Sequence, residues 1–537
     1  SDNGGSVTVF DGDYTNLTNT PSIPTLTSDL TNDSGFLTSE VDGDSSNELQ
    51  TISKTGSTIT LSDNGGSVTV FDGDYNNLTN VPTVATQHID GLKDALNDSI
   101  NDNLAFGAYA FDALVNGSNN VAIGNSASKS MTGGSRNISI GQDALLTNTT
   151  GTDNIALGSN SLKSNTTGYD NVALGNGALI QNTTGYYNVA LGREALYSNT
   201  TGTSNAAIGR FALISNTTGY RNVSVGGESM NQNTTGSSNT AVGAFTLWNN
   251  TTASDNTAVG YESMYSNTTG NNNTAVGARA LWSNTTGTQN FAAGNDAFKS
   301  NTTGNDNFAV GFESMKSNTT GNRNVANGFY SLKSNTTGGE NVSIGGYTLT
   351  SNTTGGSNVA VGDFALAGNT TGDMNVAIGK SALQSNTTAS GNVGIGRFAL
   401  IQTTTGNSNV AIGIEAMSQN RTGVANAAVG VAALQFGKGS QNTAMGAGAL
   451  NYLRGGGLNT ALGNGAANNF RHGSNNVFLG AITSSKDTAI TNAIALGYQV
   501  QAKQSNIIYI GNSNHTHLYT PAKIVAQGVI QVNDSTS

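Results

Sequence analysis

The sequence contains no cysteine, so neither a disulfide framework nor thiolate chemistry is open to it. Proline occurs only four times in 537 residues, and Pro21, Pro24 and Pro82 all fall within the first 85. Charged residues are 10% of the chain, well under the roughly one quarter of ordinary globular proteins. The net charge is −11 with no basic run, a poor footprint for nucleic-acid binding. No apolar stretch reaches the roughly eighteen residues of a membrane span. There is no signal peptide and the first residue is Ser1, so the chain reads as a fragment or processed product whose export or attachment signal would lie upstream.

Glycine, by contrast, numbers 70, and Asn, Thr and Ser supply much of the remainder. Such a composition is compatible with disorder, but the apolar residues are phase-locked, which a disordered chain does not require. Asn-Val-Ala-Leu-Gly at Asn171–Gly175 has a relative every seventeen residues. The closing glycine recurs at that spacing from Gly107 to Gly430, then after sixteen at Gly446. Seventeen resumes through Gly463, Gly480 and Gly497, and a last step of fourteen reaches Gly511. A period this regular points to one stacked element in place of several domains.

The expected organisation has four parts. Residues 1–85 form a duplicated β-rich segment, since Ser1–Tyr14 returns as Ser62–Tyr75. Within it, Ile59 and Leu61, then Asn64-Gly65-Gly66, then Val68 and Val70 give a hairpin signal. Residues 86–102 carry Ile89, Leu92 and Leu96 at helical spacing, either a short connecting helix or a parallel coiled-coil neck. Residues 103–511 are the repeat, and 512–537 a C-terminal β segment.

A seventeen-residue unit is too short for a helical repeat and fits one coil of a parallel β-solenoid with two short strands and two turns. About 24 such coils stacked at ~4.8 Å give a rod of roughly 110 Å. Residues two apart on a strand share a face. Val172 and Leu174, like Val189 and Leu191, are therefore expected in the coil core, joined by Leu179 and Leu196 four residues after each closing glycine. The residue between is persistently small, as at Ala156, Ala173, Ala190 and Ala241, and is expected to form a contact face between subunits. Asn327 then falls among aliphatic core positions and needs a partner inside the coil. Stacked Asn should form amide ladders, and like charges should avoid one row. The Asn-Thr-Thr of most units matches the N-glycosylation pattern, but its periodicity fits a turn ladder better.

Asn-Val-Ala-Ile-Gly, at Asn120–Gly124 and Asn375–Gly379, resembles the signature of YadA-like heads of trimeric autotransporter adhesins. That resemblance implies a left-handed parallel β-roll and a homotrimer. The fourteen-residue step ending at Gly511 matches the family's unit, and the seventeen-residue units exceed it by three, an insertion placed in the Asn-Thr-Thr-Gly turn. Asp74–Pro82 resembles shaft segments of phage tail fibres, and Ile508–Ser513 the end of fibres that carry an endosialidase-type intramolecular chaperone.

The chemistry-bearing residues are sparse. No Ser/His/Asp order or acid/base carboxylate pair stands out, so no enzymatic activity is expected. His515-Thr516-His517 would place two imidazoles on one strand face, six in a trimer, enough for a transition metal such as iron. The reading is an all-β, homotrimeric solenoid fibre, extracellular on a virion or cell surface. Its expected work is attachment to a host or cell-surface receptor, a glycan or surface protein, without nucleic acid and without membrane insertion. The alternative is a bacterial surface trimeric adhesin.

Overall fold

The computed structural model describes residues 101–512 except 488, residue 514, and three strands nearer the N-terminus. The chain divides into two units, Ser1–Gln87 and His88–Ser537. In the first, β1 (Ile52–Thr55), β2 (Thr58–Leu61) and β3 (Ser67–Thr69) form an antiparallel sheet, with Ile52 opposite Leu61 and Ile59 opposite Val68. The β2–β3 connection carries the Asn64-Gly65-Gly66 hairpin signal. The helix expected over 86–102 lies outside the described residues apart from Asn101 and Asp102.

The second unit is a parallel β-solenoid without a helix among its described residues. Its strands run from β4 (Leu104–Phe106) to β26 (Val477–Leu479), one of three residues per repeat, followed by β28 (Ile494–Leu496) and β30 (Ile508–Ile510). Each pairs in parallel with the next at an offset of one repeat: Val172, Ala173 and Leu174 face Val189, Ala190 and Leu191. Among the described residues, the first strand pairs only with its successor and the last only with its predecessor. A small second sheet, β27 (Ser484–Ser485) with β29 (Gln501–Ala502), appears only near the end.

Before those last coils the second leg is not a strand, contrary to the two-strand expectation. Between Gly158 and Asn165 the backbone makes two successive turns, Ser161 N–H to Gly158 O at 3.2 Å and Asn165 N–H to Leu162 O at 3.1 Å. Alternate residues occupy the left-handed region: Gly158 at φ +135°, Asn160 at +60° and Leu162 at +49°. The coils still bond along this leg, through Leu162 N–H to Ala178 O at 2.9 Å and Ser164 N–H to Ile180 O at 3.0 Å. A leucine held at positive φ costs on the order of 1–2 kcal/mol. Here it is offset by full burial of the side chain, repeated as Leu179 and Leu196.

Both glycines of the unit are explained by closeness, and only the closing one by dihedral angle. Gly175 sits at φ +137°, and a Cβ there would come 2.6 Å from the carbonyl oxygen of Gly192 in the next coil. Gly168 does not adopt positive φ. A Cβ on it would press on Asn165 Oδ1 and Gly185 O, although two coils fit alanine at this place, Ala253 and Ala389.

Candidate functional site

The core of a coil is narrow, and this reverses the face assignment drawn from the sequence. Ala156, Ala173, Ala190 and Ala241 are completely buried inside their own coil. Val172 and Val189 are half-buried, Leu191 likewise, and Leu174 is 41% exposed. The small residue points inward and its two large neighbours point out. Of the expected core residues, Leu179 and Leu196 alone are fully enclosed. The physical reason is width: the turn-built leg brings Ala178 and Leu179 close behind the strand, leaving room for one methyl group from it. Asn327, at an outward position, is exposed and needs no partner inside.

The exceptions follow the same geometry. Where serine takes the inward place, a hydroxyl or carbonyl from the opposite leg meets it: Ser139 with Ser128 at 2.8 Å, Ser343 with Ser331 at 2.7 Å, and Ser224 donating to Ser229 O at 2.9 Å. Phe478 is large and fully buried at this place, as Tyr509 is large at the last strand; the leg beside Phe478 has Ala467 where most coils have leucine or methionine. The volume is redistributed within the core and its sum kept. These compensating pairs were the sequence signal for the inward face.

Two buried asparagine ladders run up the coil edges. Asn171 Nδ2 donates to Asn154 Oδ1 at 3.0 Å and to Gly185 O at 2.9 Å, while Asn154 Oδ1 also accepts from the Asn171 backbone at 3.1 Å. Asn182 Nδ2 donates to Asn165 Oδ1 at 2.8 Å. Thr166 Oγ1 donates to Thr183 O at 3.0 Å. Asn165 is fully buried, so the Asn-Thr-Thr tripeptide is a structural ladder whose amide a glycosyl transfer to the folded chain could not reach.

Three kinds of surface remain. The first is the outward strand face, where Ile155, Leu157, Leu174 and Ile208 are each about two-fifths exposed and belong to an apolar stripe repeated along the stack and interrupted by Asn327. The second is the variable turn. Tyr169 stacks on Tyr186 at 4.8 Å, and Tyr187 meets both edge-on; Trp248, Tyr265 and Trp282 pile up at 5.5 and 5.7 Å on another row. Opposite charges pair between coils, as in Arg136 with Asp153 at 2.6 Å and Arg279 with Asp296 at 2.9 Å. A shallow groove of about 440 Å³ is lined by Asp306, Asn322, Arg323, Gly339 and Glu340. The third is the Asn-Thr-Thr edge, which changes character late in the chain.

Among the described residues, no group of three or more His, Asp or Glu is placed to hold a metal ion, and no helix is long and apolar enough to cross a membrane. His515 and His517 lie outside the described residues. The perturbed carboxylates have partners that account for them: Lys316 and then Lys333 hold Glu313 below the usual carboxylate range, and Arg136 does the same for Asp153. Comparison with protein-family models and with curated proteins gave no match.

Proposed function

We infer that the chain is the stalk and contact surface of a homotrimeric, extracellular attachment fibre, of the tail-fibre kind. The observation that carries this is the outward apolar stripe. Leu157, Leu174, Ile208, Val242 and Val276 are exposed at about two-fifths each, in register along the stack. An exposed apolar patch larger than a few hundred Å² marks an interaction surface. A partner able to cover a stripe that repeats at the coil rise over the whole stack must repeat at the same rise, which another copy of this chain does. The subunit contact thus moves from the alanine row to the valine and leucine rows.

Three rods joined along that face would present three copies of every outward turn, so weak individual contacts with a receptor would act together. The runner-up, a bacterial surface adhesin, is favoured by the Asn-Val-Ala-Ile-Gly wording and uses the same trimer.

The test is the native mass of the purified chain by light scattering, with a Leu157→Asp/Leu174→Asp/Leu191→Asp variant. The expected result is three chain masses for the parent and a folded monomer for the variant. A monomeric parent, or a variant that remains trimeric, overturns the reading.

A further inference from the structure

The most unusual surface is a band of positive charge that the sequence disperses and the fold assembles. From residue 416 to 486 there is no Asp or Glu, although the chain as a whole carries −11. Within that interval Arg421, Lys438, Arg454 and Arg471 each stand eight residues after a closing glycine, Gly413, Gly430, Gly446 and Gly463. They occupy the place of the first Thr in the Asn-Thr-Thr edge, on four successive coils. The sixteen-residue coil, Gly430 to Gly446, drops one residue from this turn. All four side chains are exposed, as is His472 beside Arg471. Arg421 Nε reaches Gln402 Oε1 at 3.3 Å. Among the described residues, no ion pair involves any of the four.

Like charges also meet along the stack elsewhere, in Arg193 and Arg210 and in Lys299, Lys316 and Lys333, but each of those cations has a carboxylate partner: Glu194, Glu228, Asp296 and, for both Lys316 and Lys333, Glu313. Four like charges rising at ~4.8 Å repel one another, and threonine serves this place in most other coils. The fold therefore does not require the cations. Beside them, two residues nearer the N-terminus in their respective coils, Phe436 and Tyr452 stack at 5.3 Å with planes 6° apart, and Tyr452 is 43% exposed.

We propose that this band binds a linear acidic polysaccharide, one bearing a carboxylate on successive sugar rings, laid along the stack from Arg421 to Arg471. A pyranose chain advances per ring by a length comparable to the coil rise, so each carboxylate meets one cation. The aromatic pair favours sugar over nucleic acid. Its rings cover each other's faces, so they offer edges to a chain lying along the row and provide no open platform for base stacking. Ring edges carry the positive part of the aromatic quadrupole and suit an anionic, hydroxyl-rich neighbour. The band is also one side chain wide, too narrow to follow both strands of a duplex.

The biological use of this site rests on the attachment reading, but the binding does not require a trimer. The whole chain is titrated with polygalacturonate, with neutral dextran and with single-stranded oligothymidine. The decisive variant is Arg421→Thr/Lys438→Thr/Arg454→Thr/Arg471→Thr, which restores the residue that other coils carry and so preserves the stack. A control replaces Arg193, Arg210, Arg221 and Arg279 by Ser, removing equal charge elsewhere. Expected are polygalacturonate binding at about 20 mM salt that disappears near 500 mM, at least tenfold weakening in the Thr variant, no such loss in the control, and no dextran binding. Absent binding, equal loss in both variants, or dextran bound as well as polygalacturonate overturns the proposal, and tighter oligothymidine binding replaces it with a nucleic-acid site. Binding by a chain that proves monomeric would reject the trimer and keep the site.

Discussion

At the residue scale, the stack works by satisfying each buried polar atom from the next coil, and one break in that rule is informative. Asn386 Oδ1 is buried without a hydrogen-bond partner. Its ladder neighbour should be an asparagine, but the sequence has Thr403, whose hydroxyl donates instead to Asn420 O at 2.9 Å. A buried unsatisfied acceptor costs about 1–3 kcal/mol. Thr403→Asn should restore the amide contact and stabilise that part of the rod by about 1 kcal/mol, read as slower hydrogen exchange around residues 386–403. No change, or faster exchange, would show that the ladder is not limiting there. Gly175→Ala tests the opposite case, adding a Cβ at φ +137° against the Gly192 carbonyl. It should cost at least about 1–3 kcal/mol, with loss of exchange protection centred on the coils either side of Gly175.

At the element scale, inward and outward strand positions make opposite predictions for similar substitutions. Ala190→Leu overfills a closed core and should destabilise the coil by about 1–3 kcal/mol or more. Leu191→Ala, on the outer face, should leave the coil's own hydrogen-exchange protection nearly unchanged and weaken association instead. If Ala190→Leu were silent in exchange and altered only the mass in solution, the original face assignment would be right. The second leg carries a pH-sensitive link. Glu313 accepts from Lys316 at 2.8 Å and from Lys333 at 2.7 Å, which lowers its pKa and raises that of Lys333. Stability from the depressed carboxylate is present above the ordinary Glu range and lost as pH falls through the lower folded value. That from Lys333 is present below the ordinary Lys range and lost as pH rises through its raised value. Thermal unfolding of Glu313→Gln should therefore differ from the parent at neutral pH and converge with it in acid. A difference unchanged by acid would assign the effect to packing.

At the scale of the whole molecule, each coil touches only its neighbours, so the stack behaves as a one-dimensional array. Excising one complete unit, residues 159–175, should join Gly158 to Asn176 in register and leave the unfolding temperature nearly unchanged. Removing half a unit should misalign the ladders on both sides and lower it markedly. Equal behaviour of the two deletions would argue against ladder register as the source of cohesion. The array also explains how function can be distributed: any outward place repeated on consecutive coils becomes a line. The Arg421–Arg471 band is such a line, and so is the apolar strand face.

The sequence alone determined the repeat, the parallel stacking and the asparagine ladders. Those follow from periodicity, because identical residues seventeen apart must meet if each unit is one coil. It did not determine which strand face is inside. Alternation makes Ala173 opposite to Val172 and Leu174 on either reading, and only the distance between the two legs, set by the left-handed backbone at Leu162 and Leu179, decides that one methyl fits and two branched chains do not. Nor did it reveal the basic band, since four cations separated by sixteen or seventeen residues look scattered until the coil rise brings them into a row.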